Sequence, residues 1–286
     1  MSIWVDLLGA EVKFYNAAGL RTRCIEAGKG PAIIFLHGSG GHAEAFTRNV
    51  LPLSDEFRVC SIDMIGHGLT DKPTEGYQAT DFAKHIVDFM DAAGIDSASI
   101  AGESLGGWVA MWTAMLHPGR VRKVVAICGA GLTIETDDAS REHAAAGSAE
   151  LRRLGKQYVD NPIRENVRLR LNWLFHDPAD VTEELIDLRT AIYAQPGAEA
   201  ALTRVGQNSG LGNTEYTLTE DRLKTFPKPL LYLWTDHNPT TTSATAERAH
   251  KLTPGSSFHE LKNCAHWPQW EDPEQFNTAI REFCRS

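Results

Sequence analysis

Ser99-Ile100-Ala101-Gly102-Glu103-Ser104-Leu105-Gly106-Gly107-Trp108-Val109-Ala110 joins two textures. A short β-type run ends at Gly102, and a helix-type run of Trp, Val, Ala and Met begins just past Ser104. Between them lies Gly-Glu-Ser-Leu-Gly, a G-x-S-x-G pattern. A serine on so sharp a strand-to-helix turn, an elbow in the chain, is exposed for nucleophilic attack, and its neighbours must be small to let the chain cross itself. Gly102 and Gly106 stand two residues to either side. The helix behind Ser104 turns its positive end toward the site, which favours developing negative charge. Five residues alone also fit an ordinary glycine-bounded turn, so the flanks and the rest of the chain decide.

Working outward, residues 11–15 and 20–26 read as antiparallel strands joined by a turn at Asn16-Ala17-Ala18-Gly19. Ala32-Ile33-Ile34-Phe35-Leu36 is a continuous apolar run that suits a strand buried on both faces. It ends in His37-Gly38-Ser39-Gly40-Gly41. Residues 43–53 read as a helix, and 57–62 as a strand that leads to Asp63 and a turn-rich loop. Residues 80–93 place Phe82, Ile86, Phe89, Met90 and Ala93 on one helical face, with Gly94 as the stop. After the elbow come a helix to His117 and a buried strand, Val121–Ile127. This alternation predicts a mostly parallel sheet with helices on both faces, its ligand beyond the carboxyl ends of the strands. Residues 135–214 hold no convincing strand and read as a helical insertion, or lid. The core is then 1–134 and 215–286, resumed by the strands Pro229–Trp234 and Ser257–Leu261. Asp272-Pro273-Glu274-Gln275 opens a final helix.

A serine nucleophile needs a base, an orienting acid and an oxyanion hole. The acid and then the histidine follow the serine in chains of this pattern. Of eleven histidines, His266 is the one that follows the last strand in a short loop. Leu105, just after the nucleophile, supplies one oxyanion N–H, and Ser39, after His37-Gly38, the other. Gly40 and Gly41 let the backbone of that loop approach closely, and Gly38 and Gly40 are expected to bind substrate. A phosphate-binding loop is excluded there because Lys followed by Ser or Thr is missing. The acid belongs just past Trp234, in Thr235-Asp236-His237-Asn238-Pro239, where Asp236 is the carboxylate.

A net charge of −9 and a pI near 5.7 argue against non-specific binding to nucleic acid or anionic membrane. None of the five cysteines forms a C-x-x-C pair, which predicts reduced thiols in a reducing compartment. No signal peptide pattern is visible, and no apolar run reaches the ~18 residues of a membrane span, so the expected location is the cytoplasm.

Together, His37-Gly38-Ser39-Gly40-Gly41, Asp63 through Gly66-His67-Gly68 to Asp71-Lys72-Pro73, the elbow and His266 resemble the α/β-hydrolase family over the whole chain. The resemblance implies an eight-stranded, mostly parallel sheet. Three further stretches are similar to the meta-cleavage-product hydrolases, serine-dependent carbon–carbon bond hydrolases of bacterial aromatic catabolism. They are Ala265 to Pro273 with Trp267 directly after His266, Leu174 to Leu185, and Leu188-Arg189 with Tyr193 to Gly197. By that resemblance Arg189 pairs with the substrate carboxylate, Trp267 walls the pocket, and no metal or organic cofactor is needed. The implied substrate is a small molecule of the 2-hydroxy-6-oxo-hexa-2,4-dienoate type, and the implied assembly a homodimer or larger. Three positions depart from the family pattern. Its usual Asp, four residues after the strand-ending Trp, is Asn238, so either Asn238 or Asp236 orients His266. Its Asn before the serine is Glu103, and its Gly before the histidine is Ala265. A carboxylesterase acting on neutral esters would share the triad without the arginine; a non-catalytic ligand receptor of the same fold would leave Ser104 unreactive.

Overall fold

The computed structural model describes residues 2–208 and 214–285. Residues 209–213, within the expected insertion, lie outside the described residues. Eight strands form one sheet: β1 (Glu11–Ala17), β2 (Leu20–Ala27), β3 (Ala32–Leu36), β4 (Arg58–Ile62), β5 (Ala98–Glu103), β6 (Val121–Ile127), β7 (Leu230–Thr235) and β8 (Ser257–Leu261). Their order across the sheet is β1-β2-β4-β3-β5-β6-β7-β8. β2 pairs antiparallel with β1 and β4, and every other pairing is parallel. The expected mostly parallel sheet is therefore present.

The continuous apolar runs are explained by two cores, one on each face of the sheet. Ile34 and Leu36 of β3 face one, against helices α1 (Ala79–Ala92) and α2 (Leu105–Leu116). Ile33 and Phe35 face the other, with Phe46, Val50, Phe276 and Ile280. Alternate side chains of a strand point to opposite faces, so a strand covered on both sides must be apolar throughout. The hairpin turns at Ala18 and Gly19, both at positive φ, with the Gly19 N–H bonded to the Asn16 side chain at 2.7 Å. Residues 43–53 divide into a 3₁₀ turn, Ala43–Phe46, and an α-helix, Thr47–Leu53. The Asp63 carboxylate takes the Ala43 N–H at 2.7 Å and Ser61 donates to the Ala43 carbonyl, which tightens that first turn.

The helical stretch comprises α3 (Asp138–Asp160), α4 (Arg164–Leu174), α5 (Glu183–Tyr193) and α6 (Ala198–Asn208). Leu132–Thr133 before it and Leu218–Thr219 after it pair as two short parallel strands, which closes the segment at its base. It contacts the carboxyl edge of the sheet: the Leu174 carbonyl accepts the His266 N–H at 2.9 Å, and His143 of α3 bonds the Asn238 carbonyl at 2.9 Å. All five cysteines are buried free thiols. Among the described residues, no helix is long and apolar enough to cross a membrane.

Candidate active site

Ser104 sits between β5 and α2 with φ 53° and ψ −114°. A non-glycine residue held there costs about 1–3 kcal/mol, and it persists because its surroundings over-determine it. The Ser104 N–H donates to the Ile127 carbonyl at 2.9 Å, and its own carbonyl accepts the N–H groups of Gly107, Trp108 and Ala130. A Cβ on Gly102 would lie 2.1 Å from the Gly106 backbone, and one on Gly106 would lie 2.1 Å from the Leu36 carbonyl oxygen. The spacing read from the sequence is thus a packing requirement.

His266 follows β8 and is buried. Its Nδ1 lies 2.7 Å from the side-chain oxygen of Asn238. The Asn238 amide is turned that way because its Nδ2 donates to the Thr241 carbonyl at 2.8 Å. Asp236, the other residue left open by the sequence, does not reach the ring. Its carboxylate turns outward, toward the Cys264 N–H at 3.4 Å and the exposed His237. Both positions lie past the end of β7: Asp236 and His237 form the turn that follows the strand, and Asn238 comes directly after that turn. The other ring nitrogen, Nε2, lies 3.0 Å from the Glu103 carboxylate. Glu271 fixes the loop by accepting the N–H groups of Ala265, Trp267 and His176. Burial raises the pKa of that carboxyl group.

The loop after β3 is braced from below. His37 donates Nδ1–H to the Gly38 carbonyl at 2.8 Å and accepts the Met64 N–H on Nε2 at 3.1 Å. Burial lowers its pKa from 6.5 to about 3, which keeps the ring neutral. From above, Arg189 and Tyr193 of α5 both donate to the Gly40 carbonyl at 2.7 Å, and Arg189 Nε donates to the Tyr193 hydroxyl at 2.9 Å. The Arg189 guanidinium also lies 5.0 Å from the Trp267 ring centre. It is 1 % exposed, its Nη1 has no hydrogen-bond partner, and among the described residues no carboxylate lies within ion-pair distance of it. A buried cation left so is costly unless an anion joins it.

Gly38, Ser39, Ser104, Arg189, His266 and Trp267 line one cavity of about 10 Å³, room for roughly one water. Gly40 lines a neighbouring void, and Leu105 follows Ser104 as the first residue of α2. Two residues that sequence reasoning missed also line the site. Arg170 of α4 is buried, its Nε is unpartnered, and its guanidinium lies 5.0 Å from the Tyr158 ring centre. Leu151 of α3 stands beside it. Both lie on helices without a motif, so only the folded arrangement reveals them. Ser39, Leu151 and Arg170 also border an adjoining groove of about 400 Å³. Among the described residues, Cys24, Glu26 and Cys60 are grouped closely enough to hold a metal ion, but Glu26 is already bonded to Lys13, Tyr15 and Arg58 at the antiparallel end of the sheet.

Residues 31–273 match the model of the alpha/beta hydrolase fold family, and the chain belongs to that family. Within it, the chain is 29% identical over 280 residues to 2-hydroxy-6-oxo-6-(2'-aminophenyl)hexa-2,4-dienoic acid hydrolase of Metapseudomonas resinovorans, covering 95% of this chain and 90% of that one. It is 27% identical over 274 residues to the dihydrolipoyllysine-residue acetyltransferase component of the acetoin cleaving system of Cupriavidus necator, covering 96% and 69%. Among solved structures, the meta-cleavage product hydrolase of Pseudomonas fluorescens IP01 superposes with a TM-score of 0.78 at 29% identity, covering 96% of this chain and 98% of that one.

Proposed function

We propose that this hydrolase cleaves a carbon–carbon bond in meta-cleavage products of the 2-hydroxy-6-oxo-hexa-2,4-dienoate type, with Ser104 as nucleophile. The observation that carries the reading is Arg189: a buried guanidinium with a free Nη1, on the wall of the cavity that holds Ser104 and His266. A substrate carboxylate is the natural partner for that cation. The similarity to two meta-cleavage-product hydrolases at 29% identity supports the same substrate class.

The chemistry divides in two. Moving a proton from the C2 hydroxyl to C5 ketonises the dienol, so that a C5 carbanion can delocalise through C3=C4 into the C2 carbonyl. Ser104 then attacks the C6 ketone. His266 takes its proton and the N–H groups of Ser39 and Leu105 hold the oxyanion. Breakage of C5–C6 releases 2-hydroxypenta-2,4-dienoate, and water frees the acyl group from Ser104 as a carboxylic acid. Residues 135–214 act as a lid in this reading: α4 and α5 supply Arg170 and Arg189 and shut the reacting centre from water.

Arg189→Ala tests the reading. kcat/KM for a dienoate should fall about 100-fold, the worth of a buried charge-assisted pair, with less than about threefold loss on a neutral nitrophenyl ester. An equal loss on both would remove Arg189 from substrate recognition and favour an esterase.

A further inference from the structure

Glu103 stands directly before Ser104 as the last residue of β5, and it is 2 % exposed. Its carboxylate has two partners. Oε2 accepts the Gly38 N–H at 2.7 Å, and Oε1 lies 3.0 Å from His266 Nε2. A Cβ on Gly38 would lie 2.5 Å from Oε2, so the glycine leaves the space that the carboxylate fills.

These contacts bear on a question of charge. When a serine hands its proton to a buried imidazole, the imidazolium needs a negative partner. Asn238 gives Nδ1 an acceptor but no charge. Asp236 does not reach the ring, and Glu271 is bonded to backbone N–H groups. Among the described residues, Glu103 is the carboxylate at ion-pair distance from His266.

We propose that Glu103 is the charge partner of His266, acting from the nucleophile's side of the ring. Two residues then divide a task that one carboxylate could perform. Asn238 holds the ring's tautomer and orientation, and Glu103 supplies the negative charge. The proposal rests on Ser104 being the nucleophile. As the Oγ–C bond forms, the carbonyl π pair moves onto oxygen and the Oγ proton passes to the Nε2 lone pair. The N–H so formed lies beside Oε1, whose charge offsets the new cation. When the intermediate collapses, the C5–C6 electron pair delocalises through C3=C4 onto the C2 oxygen, the Nε2 proton is given up to the dienolate at that oxygen, and the imidazole is neutral again. Glu103 acts through His266 and is a positioning residue. Its second bond ties the same charge to the loop that carries Ser39.

The test is the rate at which a fluorophosphonate labels Ser104, which needs no knowledge of the substrate. Glu103→Gln keeps the size and an acceptor for Gly38 and removes the charge. Labelling should slow about 100-fold or more, and adding Asn238→Asp should restore at least about tenfold by placing a carboxylate at the opposite ring nitrogen. In the wild-type background, Asn238→Asp alone should gain less than about threefold, because the charge is already present. The proposal is overturned by Glu103→Gln labelling within about threefold of wild type, or by a folded double variant no faster than Glu103→Gln; a gain of about 100-fold from Asn238→Asp alone would do the same. Should Glu103→Gln fail to fold, the Asn238→Asp result decides. Wild type that resists labelling would overturn the serine-nucleophile reading and this proposal with it, whereas labelled wild type with an equally reactive Glu103→Gln overturns this proposal alone.

Discussion

Asn238 and Asp236 show how far two residues can differ in consequence while lying two apart. The Asn238 amide holds His266 Nδ1 at 2.7 Å, and the Asp236 carboxylate faces a backbone N–H and solvent. Asp236→Ala should therefore leave kcat within about threefold of wild type, while Asn238→Ala, which frees the ring to turn, should lower it by at least about tenfold. Steady-state kinetics on one substrate check both; a larger loss from Asp236→Ala would contradict the geometry. The sequence made position 238 visible through its distance from Trp234, and chemistry drew attention to Asp236 because a carboxylate suits the task better than an amide. The choice between them depends on where the chain turns after β7, which no local pattern encodes. Glu103 was legible as a departure from the family pattern, but its contacts with Gly38 and His266 join residues 65 and 163 positions away.

At the scale of elements, the elbow was the most legible part of the molecule, because its geometry demands glycine at fixed positions. Gly102→Ala would set a methyl 2.1 Å from the Gly106 backbone. The variant should lose at least about 3 kcal/mol of stability, read as a shift in the urea midpoint; wild-type stability would show that the crossing of β5 and α2 is looser than described. The helical stretch was legible as a helical lid, but the particular contacts that seat it were not. Its side chains meet the sheet edge through pairings of no fixed spacing, such as Arg189 with Gly40 and His143 with Asn238. The cavity at Ser104, about 10 Å³, is too small for a dienoate, and Leu151 and Arg170 stand between it and the groove of about 400 Å³. For the proposed dienoate to reach Ser104 by way of the groove, these side chains must move and join the two spaces. Leu151→Trp should then lower kcat/KM at least about tenfold for a substrate with a C6 phenyl group and less for C6 methyl. Equal kinetics on both would place the entry elsewhere.

The whole molecule combines an acidic surface balance, net −9, with cations gathered at the site: Arg189 and Arg170 within, and Arg152 and Lys156 at the groove. Composition shows the first and hides the second, because it counts charges without placing them. Three buried histidines add a pH dependence. Burial lowers His37 and His67 from 6.5 to about 3 and His85 to about 4. Between those values and 6.5 the unfolded chain binds protons that the folded chain refuses. Their contribution to stability is whole above pH 6.5 and is lost as pH falls toward 3–4. Tm at pH 5 should lie at least about 5 °C below Tm at pH 7; an unchanged Tm would mean that these rings are protonated in the fold. The chain is a hydrolase by family, and the proposed carbon–carbon bond cleavage can be observed directly. The most direct measurement is the visible absorbance of a yellow ring-cleavage product bearing a C6 phenyl or methyl group, mixed with wild type and with Ser104→Ala. Bleaching with stoichiometric release of benzoate or acetate, lost in the variant, is the expected result. Turnover of nitrophenyl esters with no bleaching of either compound would contradict it.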